Sequence, residues 1–254
     1  MQRQTCRYRV VVLGTVVCAA IALAGCGRAG NDAAVVQVGR TSIAAATVAH
    51  WMSVIAGEVS TATGQPEPEV PAPPSYTACI AYRRKYPTTV GKLELTPTRR
   101  AQECKLEFEK ERLKALYLLI SYAWVSEEAG EMAVKLPERE LEDYEQRLAN
   151  KADQRVLVGT RGTRADLRLR LQLSLLTTKV QQQLERESGG GRLSTDQRQA
   201  ALNRFSEEFT KKWKARTVCR AGYVVPICGQ GTGPRVGPSF VPPSVPLTNM
   251  TAGS

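Results

Sequence analysis

Seven cysteines and one histidine are the side chains of this chain whose types and spacing could do chemistry. Cys26 closes the run Leu23-Ala24-Gly25-Cys26, which follows Arg3, Arg7 and Arg9 and an uncharged apolar stretch from Val10 to Ala24. A basic start, an apolar segment too short to make a good membrane span, and a small-residue cleavage site read as a signal peptide over residues 1–25. A cysteine directly after that site makes a bacterial lipobox. Its thiol can form a thioether to diacylglycerol, and cleavage leaves Cys26 as the new N-terminus. Two or three acyl chains, at about 0.8 kcal/mol per buried methylene, anchor a protein far more firmly than one. The plainer alternatives are an ordinary signal peptide with an accidental cysteine, or a signal anchor.

Cys6 and Cys18 leave with the signal, so four thiols remain: Cys79, Cys104, Cys219 and Cys228. An even number in an exported protein suggests two disulfides. Three pairings are possible. Cys79–Cys104 and Cys219–Cys228 are favoured because each closes a local loop with a turn signal inside it, Pro87 to Gly91 and Gly222 respectively. A zinc site competes poorly, since no close pair of cysteines and no neighbouring histidine is present. Neither pair has the two-residue gap of a thioredoxin-like redox motif. His50 stands beside Trp51 and reads as a packing or capping residue. No residue is assigned a catalytic role, no metal site is expected, and no cofactor is called for.

Of the 254 residues 43 % are hydrophobic and 6 % aromatic, with a formal charge of +11. Few aromatics argue against a stacking surface for single-stranded nucleic acid. Removal of the signal takes three arginines and no acid, which leaves +8 on the mature chain. That charge would face the outside of a membrane, where anionic lipid head groups or acidic wall polymer are natural partners and nucleic acid is not; a solvated basic face that binds nothing in particular is the equal alternative.

Residues 26–34 are small and polar and suit a tether. Val35 to Val38 reads as a short strand stopped by Gly39, and Thr41 or Ser42 can cap a helix to about Ala56. Residues 57–75, with Pro66, Pro68, Pro71, Pro73 and Pro74, predict a semi-rigid loop. Ser75 to Tyr86 predicts a short helix carrying Cys79. Thr96-Pro97 is a cap followed by proline at the first helical position, and the helix it opens runs to about Ala133, with Leu106, Leu113, Leu116, Tyr117, Ile120 and Trp124 as its apolar stripe. Pro137 opens another helix, Glu138 to Leu148, whose acids suit the helix start.

Arg164 to Glu187 alternates leucine and polar residues like a strand, yet it is long, free of Gly and Pro, and built of helix formers. On a helix, Leu169, Leu173, Leu176, Val180 and Leu184 cover one face, and Leu167, Leu171 and Leu175 nearly the opposite one. Such a helix either sits in the middle of a domain or leaves a leucine face for a partner. After Gly189-Gly190-Gly191, Ser194 or Thr195 caps a last helix to about Arg216, striped by Leu202, Phe205, Phe209 and Trp213. Tyr223 to Val225 predicts a brief strand, and residues 229–254, rich in Pro and Gly, predict a disordered tail.

Val35-Val36-Gln37-Val38-Gly39-Arg40-Thr41-Ser42-Ile43 with the helix bearing His50-Trp51 resembles the opening of SurA N-terminal-like domains, found in the SurA and PrsA foldases of the cell envelope. Gly162 to Leu173 resembles the late helix of that domain. Phe205 through Cys228 resembles a terminus of related actinobacterial lipoproteins. The similar pieces span residues 33–228. The resemblance implies a mainly α fold over residues 35–228 in which the chain ends meet as a two-stranded pairing, Val35 to Val38 with Tyr223 to Val225. It also implies a chaperone-like module that holds unfolded exported polypeptides in a groove. Leu167, Leu171 and Leu175 are the client-binding candidates. One departure matters: the catalytic parvulin domain that such foldases insert between the late and terminal helices has no room here, because only Ser188 to Ser194 separates them.

The expectation is therefore a lipid-anchored extracytoplasmic chaperone-like protein without its own prolyl isomerase domain. The alternatives are a divergent peptidyl-prolyl isomerase and a non-catalytic adaptor lipoprotein.

Overall fold

The valines near the start do form a strand, and it is the centre of the only sheet among the described residues. In the computed structural model, which describes residues 33–63, 70–86, 96–149, 161–187 and 194–230, strand β1 (Ala34–Val38) lies between β2 (Thr41–Ala44) and β3 (Thr217–Cys219), antiparallel to both. Cleavage of residues 1–25, lipidation of Cys26, most of the 26–34 tether and the tail from 231 onward lie outside those residues. Ala34, assigned to the tether from sequence, is already in β1.

Two sequence expectations are corrected here. Thr41 and Ser42 do not cap a helix; they pair with Val38 and Gln37. Thr41 Oγ1 donates to Glu127 Oε1 at 2.8 Å and Ser42 Oγ to Gln37 Oε1 at 2.5 Å, so both hydroxyls are engaged within the sheet's surroundings. The partner of β1 from the far end of the chain is Thr217–Cys219, in register Val36 to Cys219 and Val38 to Thr217, rather than Tyr223 to Val225. The pleat explains this choice: Thr217 and Cys219 point inward and are buried beside Val36 and Val38, whereas Tyr223 and Val224 lie in the loop that follows. The pairing is therefore three-stranded, with the chain ends meeting at a different register. An irregularity between Ala34 and Val36 lets Val35 and Val36 both face the core. Gly39, at φ +52°, turns the β1–β2 hairpin in a conformation that glycine adopts without cost, with Trp213 and Glu127 close behind it.

Six helices among the described residues make the fold mainly α: α1 (Ala45–Thr63), α2 (Thr77–Lys85), α3 (Pro97–Glu131), α4 (Glu138–Ala149), α5 (Arg164–Glu187) and α6 (Thr195–Ala215). The Thr96-Pro97 start is as predicted, Thr96 Oγ1 accepting from the Arg99 amide at 3.3 Å. Ser194 forms a capping box with Gln197 at the start of α6. The region assigned to the proline-rich loop begins later than residue 57, because α1 continues to Thr63 and the first proline is Pro66. Gly57 is buried inside α1, where a Cβ would meet the Arg161 backbone nitrogen at 3.3 Å, so it gives room for the turn before α5 rather than serving as a linker. Residues 64–69 lie outside the described residues.

The core joins α1, the C-terminal half of α3, α5, α6 and the inner sheet face around Trp51, Trp124 and Trp213, each essentially sealed from water. Two indoles find buried polar partners. Trp124 Nε1 donates to Thr217 Oγ1 at 2.7 Å, and that hydroxyl donates on to the Trp213 carbonyl at 2.7 Å. Trp213 Nε1 donates to Glu128 Oε2 at 2.5 Å, where Lys212 Nζ also donates at 2.6 Å. Burial works against the Lys212 charge, but Glu128 and Glu131 hold its pKa above the usual lysine value. Among the described residues no helix is long and apolar enough to cross a membrane.

Candidate functional site

The leucines of α5 are placed by its two-faced pattern, and both faces pack. Leu167 and Leu171 are buried, at 5 % and 1 % exposure, and Leu175 is half-buried against the same core. Leu173 and Val180, from the other face, are buried too. The client-binding assignment is thus corrected for Leu167 and Leu171, which are core because α5 packs against α3, α4 and α6; Leu175 packs half-buried against that core.

Apolar surface is left instead on the N-terminal part of α3. Leu106 and Leu113, which the spacing placed in the core stripe of that helix, are 68 % and 40 % exposed. They are seven residues apart and so share a face. The stripe is real only from Ala115 onward, where Leu116, Ile120 and Trp124 are sealed and Tyr117 is half-buried, its hydroxyl pKa raised by that burial. α2 packs on this same stretch and ends at Tyr86, a third exposed large apolar side chain. Tyr82 and Tyr86 lie with ring centres 5.0 Å apart, and Lys85 Nζ stands 5.4 Å over the Tyr86 ring.

A disulfide, an arginine fork and the ring contact of Tyr76 with Phe108, centres 6.1 Å apart, tie α2 to α3. The Cys79–Cys104 disulfide, expected from loop closure, is formed and both sulfurs are buried. Arg83 then spans Glu103 at 3.0 Å and Glu107 at 2.8 Å, which lie one helical turn apart on α3 and match the fork of a guanidinium. The second expected pair, Cys219–Cys228, is also formed and closes the loop after β3.

His50, on the exposed side of α1, does more than pack beside Trp51. Its Nε2 lies 2.8 Å from Asp166 Oδ1 on the first turn of α5, 116 residues away in sequence. The other Asp166 oxygen accepts from the Thr163 amide and hydroxyl, both at 2.7 Å, while the Asp166 amide donates back to Thr163 Oγ1 at 3.3 Å. Burial would push the Asp166 carboxyl up, but the two Thr163 bonds and His50 hold its pKa below the usual aspartate value. Thr163-x-x-Asp166 is a capping-box spacing legible in sequence; its use by His50 is not.

Next to this cap, Arg170 Nη2 bonds to Glu58 and its guanidinium lies 5.3 Å over the Trp51 ring. Burial lowers the Arg170 pKa and raises that of Glu58, so the pair has given up hydration to join α1 and α5. Lys114 adds charge near Glu58, and Glu111 Oε1 accepts from it at 3.3 Å. His50 and Asp166 form an acid–base pair whose described bonds go to a cap rather than to a nucleophile. No three His, Cys, Asp or Glu side chains among the described residues come together to hold a metal ion.

No protein-family model, curated protein or solved structure matches this chain.

Proposed function

We propose that this chain is a lipid-anchored extracytoplasmic protein, chaperone-like and of SurA/PrsA type, that holds unfolded exported polypeptides on the α2–α3 arm without an isomerase domain of its own. The observation that carries the reading is the exposure of Leu106 and Leu113 on one face of the N-terminal half of α3, opposite the side on which Cys104 holds α2, while Leu116, Ile120 and Trp124 further along the stripe are buried. Apolar contact without directional bonds is tolerant of sequence, which is what a holder of varied unfolded chains requires. Glu109 and Lys110 between the two leucines, and Lys85 beside Tyr86, keep the arm from being a continuous greasy patch. Two disulfides suit an oxidising compartment, and the lipobox at Cys26 supplies the anchor.

The test uses the full lipidated chain reconstituted in vesicles and a chemically denatured client enzyme that aggregates on dilution. Stoichiometric chain should suppress light scattering, and the double variant Leu106→Ser with Leu113→Ser should lose that suppression while keeping its melting temperature. Suppression that is absent in the parent, or untouched in the variant, refutes the arm as the binding surface. A proline-peptide isomerisation assay on the same vesicles discriminates the isomerase alternative, which requires a rate above the uncatalysed one.

A further inference from the structure

Among the described residues five large apolar side chains are strongly exposed, and only three of them belong to the α2–α3 arm. The other two, Val218 at 57 % and Val224 at 46 %, flank or lie in the ring closed by Cys219–Cys228. Sheet alternation explains Val218, which shares the outer face with Gln37 and Arg220, while Thr217 and Cys219 face inward. Val224 is held out by its loop: Tyr223 N donates to Arg220 O at 2.9 Å, Gly222 takes φ +86°, and Tyr223 packs inward against the core. The loop is fixed to the sheet by Arg220 N on Val35 O at 2.8 Å and by the Gln230 side chain, which brackets the Cys219 backbone at 3.2 and 3.1 Å.

That loop sits at the end of the sheet from which the chain leads back to Cys26. Ala33 O accepts from Ala45 N at 3.2 Å, so the start of β1 and the start of α1 are side by side, with Arg220 across the strand. Cys26 precedes Ala34 by eight residues, a span of at most about 29 Å when fully extended. This end carries no acidic residue in Ala33–Val36, Ala44–Thr47 or Cys219–Gln230, and α1 has none in its first turn to offset its partial positive charge. In the tether itself Arg28 and Asp32 cancel.

We propose that the face made by Arg220, Val224 and the start of α1, with Val218 at its edge, rests on an anionic lipid surface. The inference depends on the lipid anchor at Cys26, which would hold this face within reach of the bilayer and make even weak contacts effective. Valine side chains enter the interfacial region, Arg220 meets head-group phosphates, and the absence of carboxylates removes the repulsion that such a surface would impose. The client arm is elsewhere: Leu106 lies about 27 Å along α3 from Trp124, the residue that bonds to β3. Anchor and client surface thus do not compete for one patch.

The experiment places an indole at either site, Val224→Trp or Leu106→Trp, in the full lipidated chain on phosphatidylcholine–phosphatidylglycerol vesicles with or without brominated acyl chains. The three native tryptophans are buried and common to both variants. Bromine should quench the added emission of Val224→Trp at least about twofold more than that of Leu106→Trp, as burial at the acyl boundary requires. Flotation with the vesicles reports the anchor separately. Flotation with equal quenching overturns the proposed face and leaves the anchor standing; failure to float refutes the anchor and the face together. Amide exchange across Arg220 to Val224 in the unsubstituted chain gives the same answer without a new side chain: it should slow on anionic relative to neutral vesicles, and equal exchange overturns the proposal.

Discussion

Replacing Leu171 by alanine separates a packed leucine from a binding leucine by a margin that the structure sets. Leu171 is 1 % exposed within the cluster that contains Trp51, Leu116 and Ile120, so truncation removes three buried carbons from a sealed position. At about 0.8 kcal/mol per methylene the transfer loss alone is about 2.4 kcal/mol. A cavity that fails to collapse brings the total toward about 5 kcal/mol. Each kcal/mol moves the melting temperature of a domain this size by about 2–4 °C, so the expected drop is about 5–20 °C. Leu106→Ala, at a site 68 % exposed on α3, should stay within about 0.5 kcal/mol of the parent. Leu167→Ala should resemble Leu171→Ala, and Leu175→Ala should fall between the extremes because its side chain is only half-buried. Thermal unfolding followed by tryptophan emission ranks the four variants, and client suppression on vesicles is measured below the lowest transition. A melting temperature within about 1 °C of the parent for Leu171→Ala, together with lost client suppression, would show that α5 lines the groove and that the core assignment is wrong.

Removing the arm's disulfide with Cys79→Ser and Cys104→Ser frees a loop of 25 residues, worth about 3.5 kcal/mol by loop-closure entropy. The loss should be local: amide exchange should rise in α2 and stay unchanged in α1 and α5, and a uniform rise would contradict a separable arm. Asp166, whose folded-state pKa lies below its unfolded value, stabilises the fold fully above about pH 4 and loses that contribution as pH falls through the folded value. Asp166→Asn should therefore cost about 1–3 kcal/mol at neutral pH, with the gap to the parent narrowing as denaturant unfolding is repeated toward pH 2.5. A gap that stays constant with pH would rule out the carboxylate as its source.

Helix starts were legible where one short-range bond decides them, as at Thr96-Pro97 and Ser194. The disulfides were legible because each closes a local loop, over 25 and 9 residues. Thr41 and Ser42 misled because a hydroxyl before an apolar run serves a cap or a hairpin equally well, and only the far segment Thr217–Cys219 makes the hairpin side profitable by building a sheet on β1. Periodicity shows which residues share a face and is silent on what covers that face. Leu106 and Leu113 therefore looked like core and Leu171 like a candidate groove, and the cover came out the other way round. The tie between His50 and Asp166 joins a lone histidine to a capping aspartate across 116 residues, a distance at which no local pattern carries information.

The uneven burial of α3 links these points to function. From Ala115 to Ala129 ten of its residues are buried, while from Pro97 to Lys114 only Cys104 and Glu111 are. The C-terminal half carries bonds to β3 and α6 through Trp124 and Glu128, and the N-terminal half is backed by α2 through a disulfide, an arginine fork and the Tyr76–Phe108 ring contact. Free energies of local opening follow such contacts, so the arm must open at lower cost than the core. The Cys79–Cys104 bond then has a specific task. It fixes α2 to the side of α3 that bears Cys104, and Leu106 and Leu113 lie exposed on the opposite side. A covalent staple beside a small packed interface keeps the arm ordered while its far side stays apolar and exposed, the combination that the proposed holding of unfolded chains requires.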